Sequence, residues 1–202
     1  MAPLRILYFA WLRERLGRGG EDLLLPEGVR TVGALIAWLQ ARDDAHRAAF
    51  ANPGLVRVQA ADFDPGLALA ELQAAAPTAG GIGSFIGVVR SDATRPIESL
   101  TLEHYPGMTE VALADIAAQA EQRFGLLACT VIHRFGTLLP GERIVFVGAA
   151  ASHRAAALEA TGFLIDWLKT GAPFWKKERR PGGAESWVEA LAADDSAAAK
   201  WR

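Results

Sequence analysis

The chain has 202 residues, of which 51% are hydrophobic and 22% charged, and its formal net charge is -2. That balance describes an ordinary folded protein with room for a hydrophobic core, and it excludes intrinsic disorder and bulk electrostatic attraction to nucleic acid. The single cysteine, Cys129, rules out an internal disulfide or a cysteine-built metal cluster and fits a reducing compartment.

The start Met1-Ala2-Pro3-Leu4-Arg5 carries no basic segment followed by a long apolar run, so no secretory signal and a cytoplasmic location are expected. Leu4 to Ala10 reads as a strand and Glu21 to Leu25 as a second, closed by the turn Pro26-Glu27-Gly28. A helix follows, capped by Thr31, with Val32, Leu35, Ile36 and Leu39 forming one apolar stripe toward a core. Asn52-Pro53-Gly54 then breaks the chain. An opening segment of roughly 50 residues is at the lower limit for folding alone and is expected to lean on something else.

A new alternation begins at Val56, Val58 and Ala60. The uncharged stretch from Leu72 to Val89 is interrupted by Pro77 and by Gly80, Gly81, Gly83 and Gly87, so it predicts no membrane helix. Within it, Ile82 to Arg90 reads as a strand whose glycines imply bends or close backbone approach. Ile97 to His104 is another strand. Thr109 is read as the cap of a helix running to Phe124, with Leu113, Ile116, Ala117 and Ala120 on one face and Gly125 as terminator. Two buried strands follow, Ala128 to Arg134 and Arg143 to Ala149, separated by the turn Leu139-Pro140-Gly141-Glu142. Ser152 is read as the cap of a second long helix to Lys169, ended by Gly171 and Pro173. The remainder from Ala192 to Arg202 reads as a short helix or a frayed tail. Strands and helices mixed without a βαβ repeat predict an α+β fold.

The segment from Lys169 to Arg180 packs five cations (Lys169, Lys176, Lys177, Arg179, Arg180) against one acid, Glu178. Lysine near a helix C-terminus is ordinary. The whole run is not, because Pro173, Phe174 and Trp175 would hold the cations in fixed relative positions, and this favours an anion site. Ser152-His153-Arg154 stands where a strand meets a helix, so free amides, the helix dipole and two basic side chains can converge on a phosphate. Equally, Ser152 can be a simple cap beside exposed first-turn residues. Arg90 is a third cation at a strand end. Like-charge repulsion among these groups would lower a lysine pKa toward the range useful for proton transfer, which makes Lys169 or Lys176 a candidate general acid or base.

Other candidates are weaker. In Glu103-His104-Tyr105, strand alternation separates His104 from its neighbours. His133 and Arg134 read as structural, His46 as part of a polar helix end, and Cys129 as an inert core residue. No nucleophile elbow, P-loop, dinucleotide fingerprint or metal-binding histidine pair is present, so neither a cofactor nor a metal is expected.

Ordered motifs then identify a relative. Thr101-Leu102-Glu103-His104-Tyr105-Pro106-Gly107-Met108-Thr109-Glu110, Ile132-His133-Arg134, Pro140-Gly141-Glu142, Ser152-His153-Arg154 and Leu168 to Glu178 together resemble the large, catalytic subunit of molybdopterin synthase. The resemblance covers about Val56 to Leu191. It implies an α/β-hammerhead catalytic domain, a homodimer, and a reaction that converts cyclic pyranopterin monophosphate to molybdopterin. The two sulfur atoms would arrive as a thiocarboxylate on the C-terminal glycine of a small ubiquitin-like carrier. Carried over by position, Lys169 matches the family's essential lysine and Lys176 its second pocket lysine, with Lys177 and Glu178 beside it, and all four are expected to bind substrate. Val88, Val89 and Arg90 match the substrate-touching strand end, and His153 and Arg154 a basic pair that reaches a pocket across the dimer interface.

Leu4 to about Phe50 resembles the first half of that carrier, a partial β-grasp, without its later strands or terminal Gly-Gly. The expected organisation is therefore a carrier-like segment at 1–54, a catalytic domain at 55–191 and a tail at 192–202. On this reading the chain is a carrier–synthase fusion that depends on a separate intact carrier for sulfur. Leu191 stands where some relatives carry a basic residue. Two competing readings are a noncatalytic remnant that binds carrier or pterin phosphate, and nucleic-acid binding through Lys176 to Arg180. The second is disfavoured by the net charge of -2 and the shortness of the patch.

Overall fold

Two apolar runs rich in small and β-branched residues, Leu126–Arg134 and Arg143–Ala151, form neighbouring antiparallel strands that are buried over most of their length. They are the central strands of a four-stranded sheet in the computed structural model, which describes residues 4–8, 13, 16–50, 54–94, 96–188 and 192–201. Met1, Ala2, Pro3, Ala10, Asn52, Pro53, Leu191 and Arg202, which figure in the sequence reading, lie outside the described residues. The chain divides into two units, Met1–Asn52 and Pro53–Arg202.

In the first unit, β1 (Leu4–Leu7) pairs antiparallel with β2 (Gly20–Leu23), and helices α1 (Val32–Arg42) and α2 (Asp44–Phe50) follow. Thr31 caps α1 as expected, its Oγ1 accepting from the Ala34 amide at 3.1 Å. The apolar stripe on α1 is shallower than its spacing predicts, for Leu39 is buried but Ile36 is exposed. His46 corrects the reading of a polar helix end, because it is fully buried. Its Nε2 lies 2.7 Å from Glu21 Oε1 and its Nδ1 2.7 Å from Asp43 Oδ2. Tyr8 donates to Glu21 at 2.6 Å, and Arg42 and Arg18 reach the same carboxylate at 2.9 and 3.2 Å.

The second unit runs β3 (Gly54–Gln59), α3 (Pro65–Ala75), β4 (Gly81–Val88), β5 (Ser99–His104), α4 (Met108–Phe124), β6 (Leu126–Arg134), β7 (Gly136–Leu138), β8 (Arg143–Ala151), α5 (Arg154–Thr170), β9 (Phe174–Arg179), β10 (Glu185–Trp187) and α6 (Ala192–Ala199). One sheet has the order β3-β6-β8-β4, with β3 parallel to β6 and the other pairs antiparallel. The other sheet, β10-β9-β5-β7, is antiparallel throughout. This is a mixed α+β architecture.

Side chains alternate across a strand, and β6 and β8 are covered on both sides, which explains why they carry apolar residues on both faces. Val131 and Val147 face α4 and α5, where they meet Leu113, Ile116, Leu164 and Leu168. Their neighbours Ile132 and Phe146 face the other way, onto Phe63 and Ala68 at the start of α3. Burial of each such large side chain stabilises the fold by about 1.5–3 kcal/mol. Cys129 is buried as expected, and that burial pushes its thiol pKa upward, which leaves it unreactive.

The glycine-rich strand does permit close approach. A Cβ on Gly83 would sit 2.7 Å from Thr161 Oγ1 and 2.8 Å from the Ala157 carbonyl, so only glycine lets α5 rest directly on β4. Several expectations need correction. Helix α4 starts at Met108, and its cap is Gly107, whose amide donates to Glu110 at 2.7 Å; Thr109 is buried and donates to the Tyr105 carbonyl instead. The N-cap of α5 is His153, without a side-chain capping bond, so Ser152 is not the cap. Helix α3 was not anticipated, although Asp64 caps it through the Gly66 and Leu67 amides and Pro65 occupies its first turn. Strands β7, β9 and β10 were not anticipated either. The end of the chain is helical and anchored: Trp201 packs on Phe124 and Phe163 and donates to Asp166 at 2.8 Å. No helix among the described residues is long and apolar enough to cross a membrane.

Candidate active site

The basic run after α5 is a strand, and this decides which of its cations act together. Along β9, Phe174 and Lys176 fall on one face and Trp175 and Lys177 on the other. Lys176 lines a cavity of about 900 Å³. Lys177 turns away, pairing with Glu185 at 3.0 Å and lying 5.6 Å from the Trp187 ring centre. Glu178 is not in the cavity wall and is paired with Arg180 at 3.3 Å.

Lys169 enters the cavity from the last turn of α5, carried there by the buried face of Ala160, Leu164 and Leu168. Gly171 ends that helix, its amide donating to the Trp167 carbonyl at 2.7 Å, and Pro173 turns the chain into β9. The spacing between the two lysines therefore follows from a helix stop and a strand start. The facing wall is the end of β4. A register shift at Gly87/Val88 bends the strand there, and Val89 then exchanges backbone hydrogen bonds with Gly141 and Glu142 at 2.8 and 2.9 Å. Val88, Val89 and Arg90 all line the cavity, and the Arg90 side chain is 82% exposed with Asp92 3.9 Å away.

The cavity thus brings together Val88, Val89, Arg90, Lys169 and Lys176. His153 and Arg154 are exposed and are not part of its wall. They stand at the opposite end of β4, where a Cβ on Gly81 would meet Arg154 Cα at 3.1 Å, and the strand between spans roughly 20 Å. The remaining wall was not anticipated: Phe85, Ile86, Leu100, Ile144, Ile165 and Leu168 supply an apolar lining, and His133 stands among them. A cluster of cations in a largely apolar recess is suited to an anionic ligand with a hydrophobic or aromatic body, since desolvation strengthens each charge contact.

Arg134 is structural, as read. Its guanidinium donates to the Ala60 and Arg143 carbonyls at 3.1 and 3.0 Å and lies 3.6 Å from both Asp62 and Glu142. His104 sits between Phe135 and Phe174, with ring centres 4.5 and 6.1 Å away, while Glu103 and Tyr105 are exposed on the other face.

Comparison with known proteins decides the family. The family model described as MoaE protein matches residues 58–171. The molybdopterin synthase catalytic subunit of Pseudomonas aeruginosa is 50% identical over 147 residues, covering 72% of this chain and 97% of that protein. The chain belongs to the MoaE family. It is a catalytic subunit of molybdopterin synthase, a sulfur-transferring enzyme of molybdenum cofactor biosynthesis. Among solved structures, the MoaE protein of Burkholderia ambifaria superimposes with a TM-score of 0.64 at 46% identity, covering 73% of this chain and 97% of that one. A complex of subunits 1 and 2 of the molybdopterin-converting factor of Helicobacter pylori shares the fold, with a TM-score of 0.53 at 21% identity over 69% of this chain and 91% of that one. The MoaE match contains Arg90, His153, Arg154 and Lys169, ends before Lys176, and does not take in the first unit.

Proposed function

We propose that the cavity between the end of β4, the end of α5 and β9 converts cyclic pyranopterin monophosphate to molybdopterin. The observation that carries this reading is the convergence of Lys169, Lys176 and Arg90 on one recess whose other walls are largely apolar. The cations hold the substrate phosphate and the charge that develops as the cyclic phosphate opens, and the apolar lining excludes water from the pterin. Lys169 transfers protons while the carrier thiocarboxylate attacks. Each transfer leaves one sulfur on the substrate, and hydrolysis returns the carrier as a carboxylate. Two such transfers complete the dithiolene.

Sulfur comes in trans, from a separate small carrier. The pairing of two subunits in the Helicobacter pylori complex supports such a partner. The first unit, with an antiparallel strand pair followed by a helix, is read as the first half of a carrier-like β-grasp at residues 1–54 joined to the catalytic domain at 55–191, with 192–202 as its tail. His153 and Arg154 serve the pocket of a second copy in a homodimer; their separation from Lys169 within one chain supports this. Lys177 and Glu178 shape β9 beside the pocket rather than touch the substrate directly.

The test is conversion of cyclic pyranopterin monophosphate by the full chain, with and without separately prepared thiocarboxylated carrier. Product is expected only with carrier, and Lys169→Ala is expected to abolish turnover while the protein stays folded. Retained activity in Lys169→Ala would remove that lysine from the chemistry. No product from folded wild-type protein would instead favour a noncatalytic binding role.

A further inference from the structure

His133 stands inside the cavity wall yet has no part in the chemistry described above. The residue is 4% exposed, and it lines the same recess as Lys169 and Lys176. Two contacts fix it. Nδ1 lies 2.9 Å from the Arg134 carbonyl oxygen, which can only accept, so Nδ1 carries the proton and a neutral ring presents a bare lone pair on Nε2. The face of the ring is stacked on Phe174, with centres 3.8 Å apart and planes inclined by 17°. Phe174 precedes Lys176 by two positions and shares its face of β9, so the stack sets where Lys176 enters the cavity.

The surroundings keep this imidazole uncharged. Burial is the larger cause, and the nearby charges of Lys176 and His104 add to it, against the Arg134 carbonyl, so that the ring is pushed down to about 4. The neighbouring guanidinium of Arg134 is held by the Ala60 and Arg143 carbonyls and by Asp62 and Glu142.

We propose that His133 is a positioning residue of the pocket: its bare Nε2 accepts a hydrogen bond from the Lys176 ammonium and holds that cation where the substrate phosphate binds. The inference rests on the reading of Lys176 as a substrate-binding cation. A neutral acceptor suits this task better than a carboxylate. A carboxylate would hold the lysine equally well but would cancel the positive charge that an anionic substrate needs. A charged imidazole would repel the ammonium.

Two variants of the full chain separate this role from packing. His133→Phe keeps the burial and the stack on Phe174 but removes Nε2, whereas His133→Gln loses the stack and keeps a polar acceptor. Positioning through Nε2 predicts a fall in kcat of about 100-fold for His133→Phe and recovery to within about tenfold of wild type for His133→Gln. The opposite order, with Phe active and Gln impaired, makes His133 a packing residue and overturns the proposal. A second measurement needs no turnover and no His133 variant. Two-bond nitrogen–proton correlation spectra of the imidazoles between pH 6 and 8 are expected to show His133 as the Nδ1–H tautomer, with an Nε2 signal that moves in Lys176→Met. An Nε2–H tautomer, or an Nε2 signal indifferent to Lys176→Met, refutes it. Absence of wild-type turnover alongside the expected spectra would break the synthase reading and leave the His133–Lys176 contact standing.

Discussion

The two units of this chain are held by different forces. In Pro53–Arg202 the central strands are apolar on both faces, and Val131, Ile132, Phe146, Val147 and Leu164 are all at most 1% exposed. In Met1–Asn52 the buried apolar set reduces to Tyr8, Leu23, Leu39 and Ala49, among the described residues. At its centre lies the ionic cluster of Glu21, Asp43, His46, Arg18 and Arg42. Apolar burial offers no charge to titrate or to screen, whereas a cluster of this kind depends on pH and on ionic strength. The same chain thus contains one region governed by packing and another by charge.

The contrast can be broken most forcefully in the larger unit. Phe146→Ala is expected to cost about 3–5 kcal/mol, read as loss of hydrogen-exchange protection across 126–151. A cost below about 1 kcal/mol would show that α3 and the sheet can collapse into the space. In the first unit, His46→Ala leaves Glu21 and Asp43 facing a cavity, and about 2 kcal/mol is expected, since Arg18 and Arg42 still hold Glu21. Raising the salt concentration should weaken protection of 20–50 in the wild type and leave 126–151 unchanged.

Acid sharpens the comparison because the two units respond in different windows. For Glu21, burial alone would raise the carboxyl, but hydrogen bonds from Tyr8, His46 and Arg42 and the charge of Arg18 bring it down to about 2, from an ordinary 4.5. Above 4.5 it is ionised in both states and its contacts count in full. Below that, the unfolded chain takes up the proton first, so the first unit loses stability as pH falls from 4.5 toward about 2. His133 behaves otherwise. Below 6.5 the unfolded imidazole is protonated while the folded one resists until about 4, so the second unit loses up to about 3 kcal/mol across that higher window. Hydrogen exchange at stepped pH separates the two, and a common midpoint would contradict the assignment. The smallest effects concern helix caps. Asp64 accepts from two amides and Thr31 from one. Asp64→Ala is therefore expected to cost about 1 kcal/mol and Thr31→Ala less, by denaturant midpoints.

The pocket cations were legible in the sequence as a local excess of charge, but charge and spacing did not sort them; only the family resemblance set Lys169 and Lys176 apart. Lys176 and Lys177 are adjacent and chemically alike, and only the pleat of β9 sends one into the cavity and the other to Glu185. The strand itself was hidden because its residues, Phe-Trp-Lys-Lys-Glu-Arg, read as a charge run. Helix α3 was hidden for another reason: Asp64-Pro65 is a sound start signal, but the uncharged stretch from Leu72 overlaps the end of the helix and blurs its period. His133 reads as structural because a lone histidine after an apolar strand carries no local sign of its neighbours. His46 escaped in the same way, since the carboxylates around it come from β2 and from the α1–α2 junction.

By itself the sequence determined what local rules can specify: the apolar alternation of β6 and β8, the helix end at Gly125, the cap at Thr31, and the set of basic residues available for an anion. Tertiary structure alone decided which of those residues share a space. Lys169 and Arg90 are brought to facing walls of one cavity by a helix and a strand far apart in the chain, and His153 and Arg154 are kept away from it by the length of β4. The physical reason is that charge and periodicity are properties of short segments, whereas a cavity is bounded by surfaces that meet only after the core between them has packed.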